Sequence, residues 1–324
     1  MLRPIALAVL IGLPAAAPIA SPPPAPATQT APATPTAEDD DIELLDETRE
    51  QIHDAVESLV REIDSWFGDV PFEQGGRVAG RIGLRFLWRQ DEGTDWLTRF
   101  GIRVRVPNLE RLGGFLFVGR DNEREVVSDR PEAFTRRQQL LQETRGDQSF
   151  FAGLGAQVAE GIALRAGLRG GLKPYAQARY TKLWDLTERS DVEFRQTFFW
   201  TTNDGYGSTT ALNYGYLLNP TLTLRWQSAA TWAQNNEGML WGSSLGVYRS
   251  FGALRQLSLE TLVDGQTGIG VGITQYGLRV RWEQPVYKDW LLLEVLGGHF
   301  WPRPSEPEPR GSAWAFGASL QLNF

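Results

Sequence analysis

Cysteine is absent from the 324 residues, and histidine occurs only twice. Without thiols there can be no disulfide and no thiolate metal site, and two imidazoles do not supply the ligand set of a zinc centre. The sequence implies no cofactor, and the lack of cysteine suits a periplasmic or outer-membrane address. Beyond the N-terminus no run of about 18 apolar residues occurs, which excludes helical membrane spans. Positive charge is also in deficit, 32 Lys and Arg against 39 Asp and Glu for a net charge of -7. That balance argues against a nucleic-acid binder. The mean hydropathy of -0.29 reads as soluble. In a chain of spanning strands the same value is expected, because each strand dilutes its apolar face with a polar one.

Residues 1–20 have the form of a secretory signal, with Arg3 as the positive end and Ile5 to Leu13 as a short apolar core. Small-x-small pairs at Ala15/Ala17 and at Ala25/Ala27 offer cleavage as late as residue 27. Residues 21–40 begin with a Pro/Ala/Thr linker that has nothing with which to build a core. From 41 to 68 the period becomes helical: Leu45, Ile52, Leu59 and Trp66 recur every seven residues, and Glu47, Glu50, Asp54 and Arg61 face away. This predicts one amphipathic helix in the periplasm. It could pack against the barrel mouth, enter the lumen as a plug, or join several chains into a homo-oligomer through a short coiled coil.

Beyond Gly68 alternating segments follow one another with turn residues between them, the pattern of an antiparallel meander. The predicted strands are 78–90, 95–107, 113–120, 148–158, 161–170, 174–186, 191–202, 206–217, 221–233, 238–249, 254–264, 269–284, 288–301 and 312–324. That makes an all-β, transmembrane up-and-down barrel of about 14 strands over 78–324, or 12 if the shortest two fail. With an even number, both termini lie on the periplasmic side. LLNP (217–220), TERSD (187–191) and SFGA (250–253) read as short periplasmic turns, and the charged stretch 121–148 reads as the one long outer loop. The last segment, SAWAFGASLQLNF, alternates without a break and stops on Phe324. It resembles the closing strand of bacterial outer-membrane barrels, and the resemblance implies that Leu320, Leu322 and Phe324 are read by the barrel-assembly machinery. Ser319 stands where that signal often carries glycine.

Parity divides each strand into a lipid face and a lumen face. On the first strand Ile82, Leu84, Phe86 and Trp88 point out while Arg81, Arg85 and Arg89 point in. On the second Phe100, Ile102 and Val104 point out while Arg99, Arg103 and Arg105 point in. Further lumen candidates are Arg165, Arg169, Arg179, Arg195, Arg225, Arg279 and Arg281, against Glu193, Glu260, Asp264, Glu283 and Glu294. The expectation is a basic wall on the early strands facing an acidic wall on the later ones. If the bore is wet, such a field favours small anionic or zwitterionic solutes. If it is dry, arginines and carboxylates pair across strands and fill it. Phe199 is the main aromatic expected to face inward, and alone it is slight evidence for a sugar path.

Motifs of catalysis do not survive their context. Gly242, Ser244 and Gly246 match G-x-S-x-G but fall within a strand of small residues rather than on a strand-to-helix elbow. His299 lies where a surface hydrolase could place a histidine, without the Ser and Asn cluster of the outer-membrane phospholipases.

The stretches FRQTFFWTTNDGYGSTTALNY (194–214), LRWQSAATW (224–232), YGLRVRWEQPVYKDWLLLEV (276–295), FWPR (300–303) and the turn PNLERLG (107–113) resemble an uncharacterised family of proteobacterial outer-membrane β-barrel proteins. That resemblance implies a porin-like barrel in a Gram-negative outer membrane and carries no ligand or activity. The function expected is a passive or gated channel for small polar or anionic solutes. The alternative is a closed barrel with a structural, binding or assembly role, and a surface hydrolase ranks below both.

Overall fold

The computed structural model describes residues 50, 51, 54, 77–105, 114–122, 148–170, 172–252, 254–303, 305–306 and 308–324. Glu50, Gln51 and Asp54 are helical. The rest of the expected helix, the signal, the linker and nearly all of the long outer loop lie outside the described residues.

Period-two sequence becomes strand throughout. The strands are β1 (Arg77–Arg89), β2 (Gly93–Arg105), β3 (Gly114–Asn122), β4 (Gln148–Ala159), β5 (Ile162–Arg169), β6 (Lys173–Thr187) and β7 (Ser190–Thr201). They continue as β8 (Gly205–Asn219), β9 (Leu222–Ala233), β10 (Met239–Phe251), β11 (Arg255–Gln266), β12 (Ile273–Tyr287), β13 (Leu291–Pro302) and β14 (Ala313–Asn323). Each pairs antiparallel with its neighbours in sequence, and β1 pairs with β14 to close the barrel. Fourteen strands therefore form, and the alternative of twelve is discarded. Closure leaves no unpaired edge, which a lipid environment requires because hydrocarbon cannot satisfy a free N–H or C=O.

The seam shows why the chain ends as it does. Arg81 pairs with Asn323 and Arg89 with Ala315, so nine residues of each strand are in register. At the end of the seam Gly80 and Phe324 exchange backbone hydrogen bonds of 2.8 and 3.0 Å. The Phe324 ring lies flat against Gly80, where a Cβ would overlap it. The terminal aromatic thus covers the seam as its last outward side chain, and only glycine opposite it leaves the room.

Both chain ends of the barrel lie at one rim, here the terminal rim, with the turns at 160–161, 188–189 and 220–221. The turns at 90–92, 202–204 and 234–238 lie at the other, the distal rim. Outward residues form an apolar belt: Leu84, Leu154, Leu164, Leu168, Leu245, Leu259, Leu278, Val280, Val295 and Leu320 are all substantially exposed. Left in water, side chains of this size would each forgo about 1.5–3 kcal/mol of burial free energy, so the belt fits hydrocarbon. Aromatics collect near the distal rim. Tyr276, Trp301, His299, Trp314, Phe316 and Trp88 contact one another in sequence, with ring centroids 4.4 to 6.5 Å apart. Rings with polar edges prefer this depth, where hydrocarbon meets headgroups.

Candidate functional site

The lumen is divided into three arcs of different chemistry. Register decides which inward residues share a level.

On β11 to β13 the charges are paired within one wall. Glu260 faces Arg279 across the β11–β12 ladder, and Glu283 faces Glu294 across β12–β13. Glu260 is 1% exposed and accepts hydrogen bonds from Nε of Arg279 at 3.1 Å and from its Nη2. Arg281 reaches Glu260 at 3.5 Å, Glu283 at 3.0 Å and Glu294 at 3.5 Å. The residues on either side of the Glu260–Arg279 pair at that level are Gly246 and Gly298. A Cβ at Gly246 would press on Cγ of Glu260, so the absent side chain is what lets the carboxylate lie down against the wall. At 3.5 Å and an effective dielectric near 20, one pair gains about 5 kcal/mol, against several kcal/mol of lost hydration for each ion. The cluster therefore contributes little net stability, yet it fixes geometry, because removing one member strands the others in a dry wall. Of the two expectations, this wall follows the paired one and is not purely acidic: Glu260, Glu283 and Glu294 share it with Arg279 and Arg281. Asp264 is buried four residues further along β11, toward the distal rim.

On β7 to β10 the inward face is polar and largely neutral. Thr197, Thr201, Thr209, Thr231, Gln227 and Ser244 are buried. The Thr209 and Thr231 hydroxyls lie 2.9 Å apart. Ser244, with Gly242 and Gly246, sits inside β10, so the G-x-S-x-G string is a smooth strand. Glu193 accepts from Asn213 at 3.2 Å and lies 3.7 Å from Arg195. Arg225 lies 5.9 Å from the Tyr248 ring centre.

On β1 to β6 the inward face combines arginine with phenyl rings. The Arg103 guanidinium lies 5.0 Å from the centre of the Phe115 ring. Arg165 lies 6.0 Å from Phe115 and 5.9 Å from Phe117. Phe117 contacts Phe115 and Phe151 at 6.1 and 6.0 Å, and packs against buried Tyr175 and Phe199. A phenyl face holds a guanidinium in place for about 0.5–2 kcal/mol and leaves its formal charge intact. Arg169 is buried and reaches Asp204 at 3.8 Å, and Asp204 is itself fixed by Thr201 at 3.0 Å. Arg81, Arg85 and Arg99 line a recess of about 30 Å³ with Ser319 and Gln321, room for water rather than for a solute. Arg179 shares the inward parity of Tyr175 and Gln177 on β6. Arg89 instead turns to the distal rim, held by Asp91 at 2.7 Å and Glu92 at 2.9 Å.

Parity placed the arginines but missed the rings. Phe115, Phe117, Phe151 and Tyr175 face inward with Phe199, so the lumen is far more aromatic than expected. The signal was present in β3, where Phe115 and Phe117 share one parity and Leu116 and Val118 the other. Both sets are apolar, so alternation alone cannot say which one faces lipid. In β5 it can: Ile162, Leu164 and Leu168 are outward, and the alternate positions carry Arg165 and Arg169.

His299 faces outward between Trp301 and Trp314, with ring centroids 4.6 and 4.4 Å away. Its Nε2 is 3.1 Å from the Ser312 hydroxyl, and its buried Nδ1 has no hydrogen-bond partner among the described residues. A base with no group orienting its second nitrogen fits interfacial packing better than nucleophile activation.

No protein-family model matches the chain, and no curated protein matches it. Several solved barrels are similar in architecture. OpdQ of Pseudomonas aeruginosa has a TM-score of 0.43 and 8% identity, with 77% of this chain and 99% of that one covered. A loop-deleted OmpT of Vibrio cholerae has a TM-score of 0.41 and 12% identity, covering 77% and 99%. The KdgM porin has a TM-score of 0.36 and 7% identity, covering 75% and 99%. These are likenesses of barrel architecture, at identities and TM-scores that transfer no function.

Proposed function

We propose that this barrel sits in the outer membrane with its N-terminus in the periplasm and forms a channel for small polar solutes, with a preference for anions. The observation that carries the reading is the arginine arc of β1 to β6. There Arg103 and Arg165 lie against phenyl rings, on strands whose inward positions carry more arginines than carboxylates. A fixed basic arc opposite a neutral hydroxyl and amide arc concentrates small anions by focusing field lines in a low-dielectric bore. No catalytic role is assigned to any residue in this reading. Its partners are outer-membrane lipid and the barrel-assembly machinery, the latter through Leu320, Leu322 and Phe324, and no nucleic acid.

The test is conductance in a planar bilayer, on folded, heat-modifiable protein with and without residues 38–68. Steps of anion-selective current are expected, and Arg99→Glu with Arg103→Glu should move the reversal potential toward cation selectivity. Folded protein that never conducts in either form would sink the channel and leave a closed barrel with a structural or binding role. If the charge reversals only destabilise the barrel, the arc is a packing device and not a filter.

A further inference from the structure

The outward face of the barrel is not apolar all the way round, and one exception lies at mid-strand on β7 and β8. Gln196 is the seventh residue of the 12-residue β7 and shares its parity with Phe194 and Phe198, the residues that face lipid. Its Oε1 accepts a hydrogen bond of 2.7 Å from the Thr210 hydroxyl on β8. Thr210 is exposed, and the Gln196 amide nitrogen has no hydrogen-bond partner among the described residues. Nearby on the same outward face Ser228 and Ser243 pair across β9 and β10, and Trp226 donates to the Ser243 hydroxyl at 2.9 Å.

A carboxamide with spare donors at the centre of a membrane span is costly in hydrocarbon, which offers no acceptor. What covers it must reach the same depth and carry hydrogen-bonding groups there. A soluble periplasmic protein cannot reach it, and an acyl chain cannot bond to it. A second copy of the chain meets both conditions, because it brings Gln196 to the same depth by construction, and a carboxamide is its own complement, with one acceptor and two donors.

The relief of this face agrees. Beside Gln196 lies an apolar groove of about 650 Å³, floored on β5 and β6 by Ala166, Ala176 and Ala178. Its wall on β7 and β8 stands up as a ridge in which Phe198 is 60% exposed and Tyr206 68% exposed. A two-fold axis along the membrane normal, through the β6–β7 boundary, sets the ridge of each copy toward the groove of the other and brings the two Gln196 side chains together.

We propose that the barrel forms a two-fold dimer through the β5 to β8 face, with the Gln196 carboxamides paired across the axis. The inference does not depend on what the lumen conducts.

The absence of cysteine makes the test clean. Tyr180, directly opposite Gln196 in the β6–β7 ladder, lies by the proposed axis, whereas Leu84 is exposed on β1 across the barrel. In native membranes Tyr180→Cys should give a covalent dimer with a short bismaleimide and Leu84→Cys should not. Purified in mild detergent, the full chain should have the mass of a dimer by light scattering. Gln196→Leu combined with Thr210→Val should raise its dissociation constant at least about tenfold, the loss of roughly one net hydrogen bond per copy. Heat-modifiability reports that this variant still folds. A monomer at every concentration, equal linking at Leu84→Cys, a trimer, or a dimer unmoved by the double substitution would each overturn the proposal. So would linking of Tyr180→Cys to a different protein in place of itself.

Discussion

The two sides of the lumen solve the same problem in opposite ways. Both must hold arginine against a wall of β-sheet. On β11 to β13 the guanidinium groups of Arg279 and Arg281 are held by carboxylates, with Glu260 and Arg279 each 1% exposed. On β1 to β6 those of Arg103 and Arg165 are held against phenyl rings. The first solution sets charge against charge within one wall. The second holds the cation by a ring face, in an arc whose inward positions carry more arginines than carboxylates. A bore can therefore be built firmly on both sides and still differ in charge balance between them.

The comparison breaks most visibly under removal of a single member. Glu260→Ala takes from Arg279 the carboxylate it is bonded to in a dry wall and from Arg281 one of three, and should cost about 3–5 kcal/mol of stability, read from urea unfolding in lipid vesicles. Arg165→Ala in the same assay should cost less than that, its contacts with Phe115 and Phe117 contributing about 0.5–2 kcal/mol. Equal losses would mean that the two walls are not different in kind.

Function should show the reverse order. Replacing Arg103 and Arg165 by Glu should lower the anion-to-cation permeability ratio several-fold, on the order of one kcal/mol of altered potential for a solute passing within a few ångströms. Exchanging Glu260 and Arg279, which keeps the pair and reverses its sense, should leave that ratio nearly unchanged in any variant that folds. A smaller effect is expected from Phe115→Leu, which removes the ring beneath two guanidinium groups and leaves the charges. Stability should fall by about 1 kcal/mol and selectivity by less than the charge reversals cause, because the arginines become less well placed rather than absent.

The smallest effect concerns the rim. Partial burial pushes the Glu92 carboxyl up, opposed by Arg89 and reinforced by Asp91 and Asp95. A carboxyl raised in the folded state contributes stability that is present below its unfolded value near about 4.3 and lost as pH rises through the folded one. Acidification should therefore tighten the β1–β2 turn, and Glu92→Gln should tighten it at neutral pH. Hydrogen exchange of residues 90–92 at two pH values would show this, and equal exchange rates in both proteins would refute it.

The barrel was legible because alternation is a backbone property that any reader of the chain can count. β5 and β14 are the plainest cases, since one parity carries Leu or aromatic residues and the other carries Arg, Gly, Ser or Gln. β3 was legible as a strand but not as a wall, because Phe115, Leu116, Phe117 and Val118 leave both faces apolar. The acids were legible as inward by parity and as candidates for pairing with arginine, but which arginine Glu260, Glu283 and Glu294 each meet depends on register across the ladder.

The sequence by itself narrowed the strands to fourteen or twelve and determined their order, the closing role of the last strand and the parity of the charged residues. Period two and chain order suffice for these. The tertiary structure alone decided register, and with it that Glu260 meets Arg279 between two glycines, that Arg103 and Arg165 share the Phe115 ring, and that Gln196 and Thr210 meet on the lipid side. The physical reason is that pairing across strands joins residues distant in the chain, and a slip of two residues would preserve every face while exchanging every partner.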